Sequence, residues 1–391
     1  MEPMSMTLPF VDAHEIARNC ADANLGEAAT QTLLDLAQRI NADPDLRSTA
    51  SAAHRCVYET REEYTAALSR ADAAFGAEAD LLHALLVLDS MRLVREKQQA
   101  RGVPSDIARA VNQRHAVAWL NDAIEKRGHV GIPDWMPGWF RTVGSGELYR
   151  LGRLEFVLQA WDYPFRAYAS IHTNEVIVLA EAGQRFTQDG YLVGPTARTT
   201  TLIEADDATI GVPISPRGYA LPYDVRLPQS EWRVVLGQGD PVLDIHVPGE
   251  GALTLDALRD ALAQAELFFD QYYPERPFVA YVCDSWLFSP QLEAMLPPES
   301  NILRWQHEGY LLPGDDGRES FLIFAFGSAT IDLATAPQDT RLRRAIIAHL
   351  TGGGQLECGG YLLLRTDLSR FGAQPYREAS EWAIACIRAE P

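Results

Sequence analysis

The apolar residues of this chain change their spacing near residue 128, and that change most limits the folds open to it. Before it they recur at helical intervals. In AEADLLHALLVLDSMRLVREKQQAR (77–101), Leu81, Leu82, Leu85, Leu88, Met91 and Leu93 form a broad apolar face ahead of a charged tail. PSDIARAVNQRHAVAWLNDAIEKRG (104–128) opens on Pro104 and Ser105 and stops at Gly128 after Lys126 and Arg127, which are helix start and stop signals. EAATQTLLDLAQRIN (27–41) and SAAHRCVYETREEYTAALSRA (51–71) are further helix candidates.

After residue 128 the spacing belongs to strands. HVGIPDWMPGWFRTVGSG (129–146), rich in Gly, Pro and Trp, reads as a connector, and its Trp135, Trp139 and Phe140 are expected to pack the two domains together. The strand-like runs 148–161, 165–182, 186–194 and 199–214 follow, separated by turn residues as in an antiparallel meander. EWRVVLG (231–237) and VLDIHV (242–247) continue it. The expected order is then helix 254–273, strand 278–286, short helix 289–296, strand 301–312, strand 321–327, helix 341–350 and strand 361–365. The resulting fold class is α+β: a helical domain over 1–130, a connector over 131–147, and a mixed domain over 148–391 with a mostly antiparallel central sheet.

Charge narrows the partners. A formal net charge of −19 leaves no basic field to steer nucleic acid or an anionic membrane. The five cysteines are scattered, without a CxxC pair, so neither a disulfide framework nor a zinc site is expected. No stretch approaches the ~18 apolar residues of a membrane span, and the first residues, MEPMSMTLPFVDAHE, lack the pattern of a signal peptide. The cytoplasm is the expected location, and no metal is expected. The acidic run Glu204-Ala205-Asp206-Asp207 reads as a hairpin tip rather than a cation site.

One stretch carries chemistry. VLDIHVPGEGALTLDALRDAL (242–262) passes from strand through Pro248-Gly249-Glu250-Gly251 into a helix. A helix N-terminus offers unpaired N–H groups to an anion, so this loop can cradle a phosphate. It can equally be a plain capped connection. Thr254 is a natural N-cap, Pro248 has no N–H, and Glu250, Asp256 and Asp260 would repel an anion.

YRLGRLEF (149–156), LDIHVPGEGAL (243–253), AYVCDSWLFSPQLEAMLPPESNILRWQ (280–306) and QDTRLRRAIIAHLTGGG (338–354) together resemble the bacterial GNAT-like acyltransferases that carry a helical N-acyltransferase domain ahead of a GNAT-like C-terminal domain. The resemblance covers nearly the whole chain. It implies transfer of an acyl group from acyl-CoA or acetyl-CoA to an amine, with the thioester in a cleft where two strands splay apart. It also implies that the cofactor's pyrophosphate sits on the loop after the fourth strand, where Gly249, Gly251, Ala252 and Thr254 stand. The family's usual Gln or Arg at the head of that loop is His246 here.

Direct transfer needs a base for the ammonium and an acid for the leaving thiolate. The resemblance puts a Tyr on the helix after the next strand, but SPQLEAML has none, which leaves Cys283 and Ser285 as nearby substitutes. Asp284, at a strand's C-terminal end where His is common in the family, is the first candidate base, with His246 and Glu155 beside it. Each has a plain alternative. Asp284 or Ser285 can cap the following turn, Cys283 can be a small core residue, His246 a bonded core histidine, and Glu155 solvent-facing. Arg304 and Trp286 are candidate substrate contacts. The leading function is acyl transfer to a small-molecule amine. A non-catalytic GNAT-like protein that binds a metabolite or protein partner is the alternative, and a hydrolase using Ser285 or Cys283 is a third reading. The helical domain has three roles open to it: covering the cleft, presenting the acceptor, or forming a homodimer contact.

Overall fold

Asp12 and Asp43 start two of the N-terminal helices in the way short acidic side chains do. Each accepts two backbone N–H bonds from the first turn, Asp12 from His14 and Glu15, Asp43 from Asp45 and Leu46. In the computed structural model, which describes residues 8–60, 64–133, 136–192 and 198–387, the chain divides into two units, 1–150 and 151–391.

The first unit is helical. Helix Ala79–Ala100 runs through its middle with Leu82, Ala84 to Leu88, Met91 and Val94 buried. On it the buried Asp89 bonds both Arg92 of the same helix and the buried His54 of helix Pro44–Tyr58, with Arg92 Nε 2.7 Å and His54 Nε2 2.9 Å from its carboxylate. The expected 51–71 helix is two helices, Pro44–Tyr58 and one from Tyr64 to Phe75. The chain must reverse there, because the two helices pack on each other. Helix Ser105–Asn112 passes through a π-turn, Gln113–Val117, into Ala118–Arg127, which stops at Gly128 in the left-handed conformation. Within the expected connector, Pro137–Gly144 is a helix. Trp139 and Phe140 pack inside this unit, on His115 and Trp119 respectively; Trp135 lies outside the described residues.

A six-stranded sheet runs in the order β1-β2-β3-β4-β6-β5, where β1, Leu148–Leu151, spans the division of the chain and the second unit supplies β2 Leu154–Ala160, β3 Pro241–His246, β4 Ala280–Ser285, β5 Tyr310–Asp316 and β6 Glu357–Leu364. β3 and β4 are parallel, while β2–β3, β4–β6 and β5–β6 are antiparallel. Helix Leu255–Tyr272 connects the parallel pair and buries Leu258, Leu262, Ala265 and Phe269. The Tyr281 hydroxyl on β4 donates to its Leu262 carbonyl.

The residues between β2 and β3 build a second sheet of five strands, with Val176–Ala180 and Phe165–Ser170 at its centre. Tyr310 on β5 ties the two sheets together: its hydroxyl donates to Ile214 O and accepts from Val178 N. The acidic run forms the expected hairpin tip between strands Leu202–Glu204 and Ala208–Gly211. Its acids face arginines, Glu204 on Arg166 and Asp207 on Arg226.

One expected strand, and the first half of another whose end is β5, are helices. Residues 301–306 and Arg318–Phe326 are helical, the second stopping at Gly327 with φ +78°. A short apolar run such as FLIFAF reads the same way in a buried strand and a buried helix. Here one face, Phe321 and Leu322, packs beside Leu292, Leu303 and Ile346 while Phe324 stays exposed. Helix Arg377–Cys386, unforeseen in the sequence, closes the second sheet with Ala383 and Ile384.

Candidate active site

The ladder between β3 and β4 is short. Val242, Leu243 and Asp244 pair with Ala280, Tyr281 and Val282, and there it ends. Both strands run on, but with other neighbours. Ile245 and His246 stay paired with Phe156 and Glu155 on β2, while Cys283, Asp284 and Ser285 stay paired with Tyr361, Gly360 and Gly359 on β6. The parallel pair therefore parts at its C-terminal end, and the facing edges present main-chain groups not bonded across the gap.

Register places Glu155, Asp244, His246 and Asp284 on one face of the sheet, since paired residues and residues two apart share a face. His246 Nε2 lies 3.4 Å from the Asp244 carboxylate. Glu155, opposite His246, is 2% exposed, so it is neither a solvent-facing residue nor an open wall of the gap. Burial pushes the Asp244 carboxyl up to about 7, and the charges of Asp284 and Asp162 act in the same direction. Asp284 reaches solvent at the strand's end, yet partial burial and then the charge of Asp315 raise it to about 6. Glu357, opposite Asp316 at the same end of the sheet, is raised to about 7 by burial and then by Asp316 and Asp315. Asp244, Asp284 and Glu357 at this end of the sheet thus ionise closer to neutral pH than free carboxyls do.

Cys283 points to the opposite face, is buried, and has its thiol pushed well above the ordinary range by burial first and by Asp244 and Asp284 second. A nucleophilic thiolate is disfavoured there. Ser285 caps the turn Trp286–Phe288, accepting from Leu287 N at 3.2 Å. Buried Gln306 holds the same turn by donating to the carbonyls of Leu287 and Ser289 at 2.7 and 3.0 Å. Gly359 lets the turn lie against β6, because a Cβ there would collide with the Phe288 carbonyl. Trp286 stacks on Phe324 and meets the edge of Phe321. Arg304, expected on a strand, sits instead on the exposed face of a short helix whose neighbours Leu303 and Trp305 are buried, and among the described residues it makes no ion pair with Asp284.

The loop after β3 is open. Gly249, Glu250, Gly251 and Ala252 are exposed, and among the described hydrogen bonds no protein acceptor takes the amide of Gly249 or Gly251. Gly251 has φ +83°, a conformation natural to glycine. Arg153, from the β1–β2 turn, donates to the carbonyls of Pro248 at 2.8 Å and Gly251 at 3.0 Å, which draws those carbonyls to one side and brings a cation to the loop. Thr254 caps the helix through Ala257 N at 3.3 Å. Asp256 pairs with Arg259 and Asp260 accepts from Gln264, so both acids are engaged along their own helix.

Three residues here were not singled out from the sequence. Asp244 could have been, since a charged residue inside the apolar run VLDIHV is itself a signal. Arg153 lies in a two-residue hairpin turn and gives no such signal. Tyr163, in the turn after β2, stacks near Trp161 and has its phenol pushed far up by burial and then by Asp244, Asp284 and Cys283. Only the fold brings it within their electrostatic reach.

Comparison with known families agrees with this geometry. A model described as the GNAT-like C-terminal domain matches residues 148–362, and one described as the N-acyltransferase N-terminal domain matches 14–145. The chain belongs to this two-domain GNAT-like N-acyltransferase family. Among solved structures, an acyltransferase mutant in complex with octanoyl-CoA is similar at 21% identity and a TM-score of 0.57, over 90% of this chain and 88% of that one. Acyltransferase complexes with CoA and 10C-teicoplanin, and with decanoyl-CoA and teicoplanin, are similar at 22% identity and a TM-score of 0.54, over 93% of this chain and 91% of theirs. At that identity they speak for the fold. No curated protein matches the chain. No helix among the described residues is long and apolar enough to cross a membrane.

Proposed function

We propose that this chain transfers an acyl group from an acyl-CoA to an amine of a small molecule. The parting of β3 and β4 carries the reading, because it opens a slot between two strand edges that are no longer bonded to each other, leading to the Gly249–Gly251 loop. An extended thioester arm with its own amides suits such a slot, and the loop amides, with Arg153 beside them, suit its pyrophosphate. The similar structures named with octanoyl-CoA, decanoyl-CoA and teicoplanin support an acyl-CoA donor and a small-molecule acceptor.

The row of acids fits a cationic amine. Asp284, assisted by Asp244, accepts the proton that frees the amine's lone pair. The nitrogen then attacks the thioester carbonyl, the C–N bond forms, and the C–S bond breaks. Tyr163, protonated at neutral pH, gives its proton to the thiolate sulfur as the C–S bond breaks and takes back the second proton that the nitrogen sheds as the amide forms. Glu155 and His246 orient Asp244 from the same face. The five cysteines are free, which fits the cytoplasm, where thiols stay reduced.

Calorimetry with octanoyl-CoA and with CoA tests the reading. Micromolar binding, weakened at least about tenfold by Gly249→Glu but little by Gly249→Ala, where an added methyl meets nothing, is expected. No heat at millimolar ligand would overturn it. Binding without CoA release in the presence of primary amines would favour the non-catalytic alternative.

A further inference from the structure

The helical unit holds a recess of about 480 Å³ that this chemistry does not use. Three helices face it, each through residues one or two turns apart: Arg18 and Asp22 from Ala13–Asp22, Met91 and Arg95 from Ala79–Ala100, and Ala108, Arg109 and Asn112 from Ser105–Asn112. Met91, Val103 and Ala108, each at most 6% exposed, make an apolar floor.

The polar groups around that floor are unevenly satisfied. Arg95 is taken by Glu15 at 3.1 Å, Asn19 at 3.0 Å and Asp22 at 3.5 Å. Arg18 reaches only Glu15, at 3.9 Å, and Arg109 makes no ion pair among the described residues. Three guanidinium groups thus converge in a protein whose net charge is −19. Asn112 is 7% exposed; its Nδ2 donates to Met91 O at 3.2 Å, but its buried Oδ1 has no partner. A buried acceptor left unmet costs about 1–3 kcal/mol. The π-turn at Gln113–Val117 begins at the next residue, a distortion that often marks a functional site.

We propose that the recess binds a small α-amino carboxylate with an apolar side chain. The carboxylate meets Arg109 and Arg18, the ammonium faces Asp22, and the side chain lies on Met91, Val103 and Ala108. The proposal stands apart from the acyl-transfer reading, and neither fails with the other.

Isothermal titration of the full chain with L-leucine tests it, beside L-leucinamide, which lacks the carboxylate, and 4-methylpentanoate, which lacks the ammonium. L-Leucine should bind saturably at millimolar concentration or below, and each analogue at least about tenfold more weakly. Arg109→Gln, at an exposed position, should weaken L-leucine by a similar factor without lowering the melting temperature, and Ala108→Phe should abolish binding by filling the floor. Absence of saturable L-leucine binding at tens of millimolar, equal binding of all three compounds, or unchanged affinity in both variants would each overturn the proposal.

Discussion

Asp244 stands opposite Val282 in the last rung that joins β3 to β4. One residue further, each strand belongs to a different neighbour, and the carboxylates of Asp244 and Asp284 are left on the two lips of the opening. Strand ends that part in this way expose main-chain donors and acceptors that an extended ligand can complete.

Ionisation of those lips should set the pH dependence of turnover. With Asp284 raised to about 6 and Asp244 to about 7, the rate of CoA release from octanoyl-CoA with a saturating primary amine should climb between pH 5 and 8 as the carboxyls lose their protons. Asp284→Asn should lower kcat by about 10²–10⁴-fold and flatten that limb. An unchanged profile in the variant would remove Asp284 from the role of base.

Tyr163→Phe separates departure of the thiolate from the rest of the reaction. We expect kcat with octanoyl-CoA to fall by about 10–100-fold while KM for the thioester stays near its original value. An activated aryl thioester of octanoate, whose leaving group needs no proton, should recover most of the loss. Equal loss with both substrates would show that the phenol only packs.

The raised carboxyl of Asp244 also makes a stability prediction with a definite sign. An unfolded aspartate titrates near 3.9 and the folded one at about 7, so the native state keeps a proton that the unfolded state has released. The stability that this carboxyl contributes should be fullest below about pH 4 and decline as pH rises to 7. Asp244→Asn should therefore be more stable than the parent at pH 8, by up to about 4 kcal/mol, and melt at a higher temperature there, with little difference at pH 4. Melting curves at the two pH values decide it, and a larger gain at pH 4 would contradict the assignment.

Gly359→Ala should be costly despite its size. The added methyl collides with the Phe288 carbonyl, so either β6 or the turn after Asp284 must move. A loss of about 1–3 kcal/mol is expected, with Trp286 displaced from Phe324. Denaturant unfolding followed by tryptophan fluorescence would report both, and wild-type stability would show that the turn is loosely held.

Much of the architecture was legible along the chain. The helices at 27–42, 79–100 and 105–127, the hairpins from 148 to 215 and the Thr254 cap all follow from spacing, punctuation and end residues. The strands on either side of the opening, and the glycine loop beside it, were also visible as words in the sequence. Helices 301–306 and 318–326 were not, because four to six apolar residues carry no period that distinguishes strand from helix. The break after Tyr58 was hidden by continuous helix-forming residues.

Local sequence therefore determined most of the helices, strands and caps, because those choices depend mainly on neighbours a few residues away. Tertiary structure decided the site. It set where β3 and β4 cease to pair, raised Asp244 and Asp284 by burying them near other acids, and brought Tyr163 and Arg153 to residues about 80 to 120 positions away in the chain. Desolvation and charge proximity arise only when distant strands assemble into one sheet, and no period in the sequence encodes them.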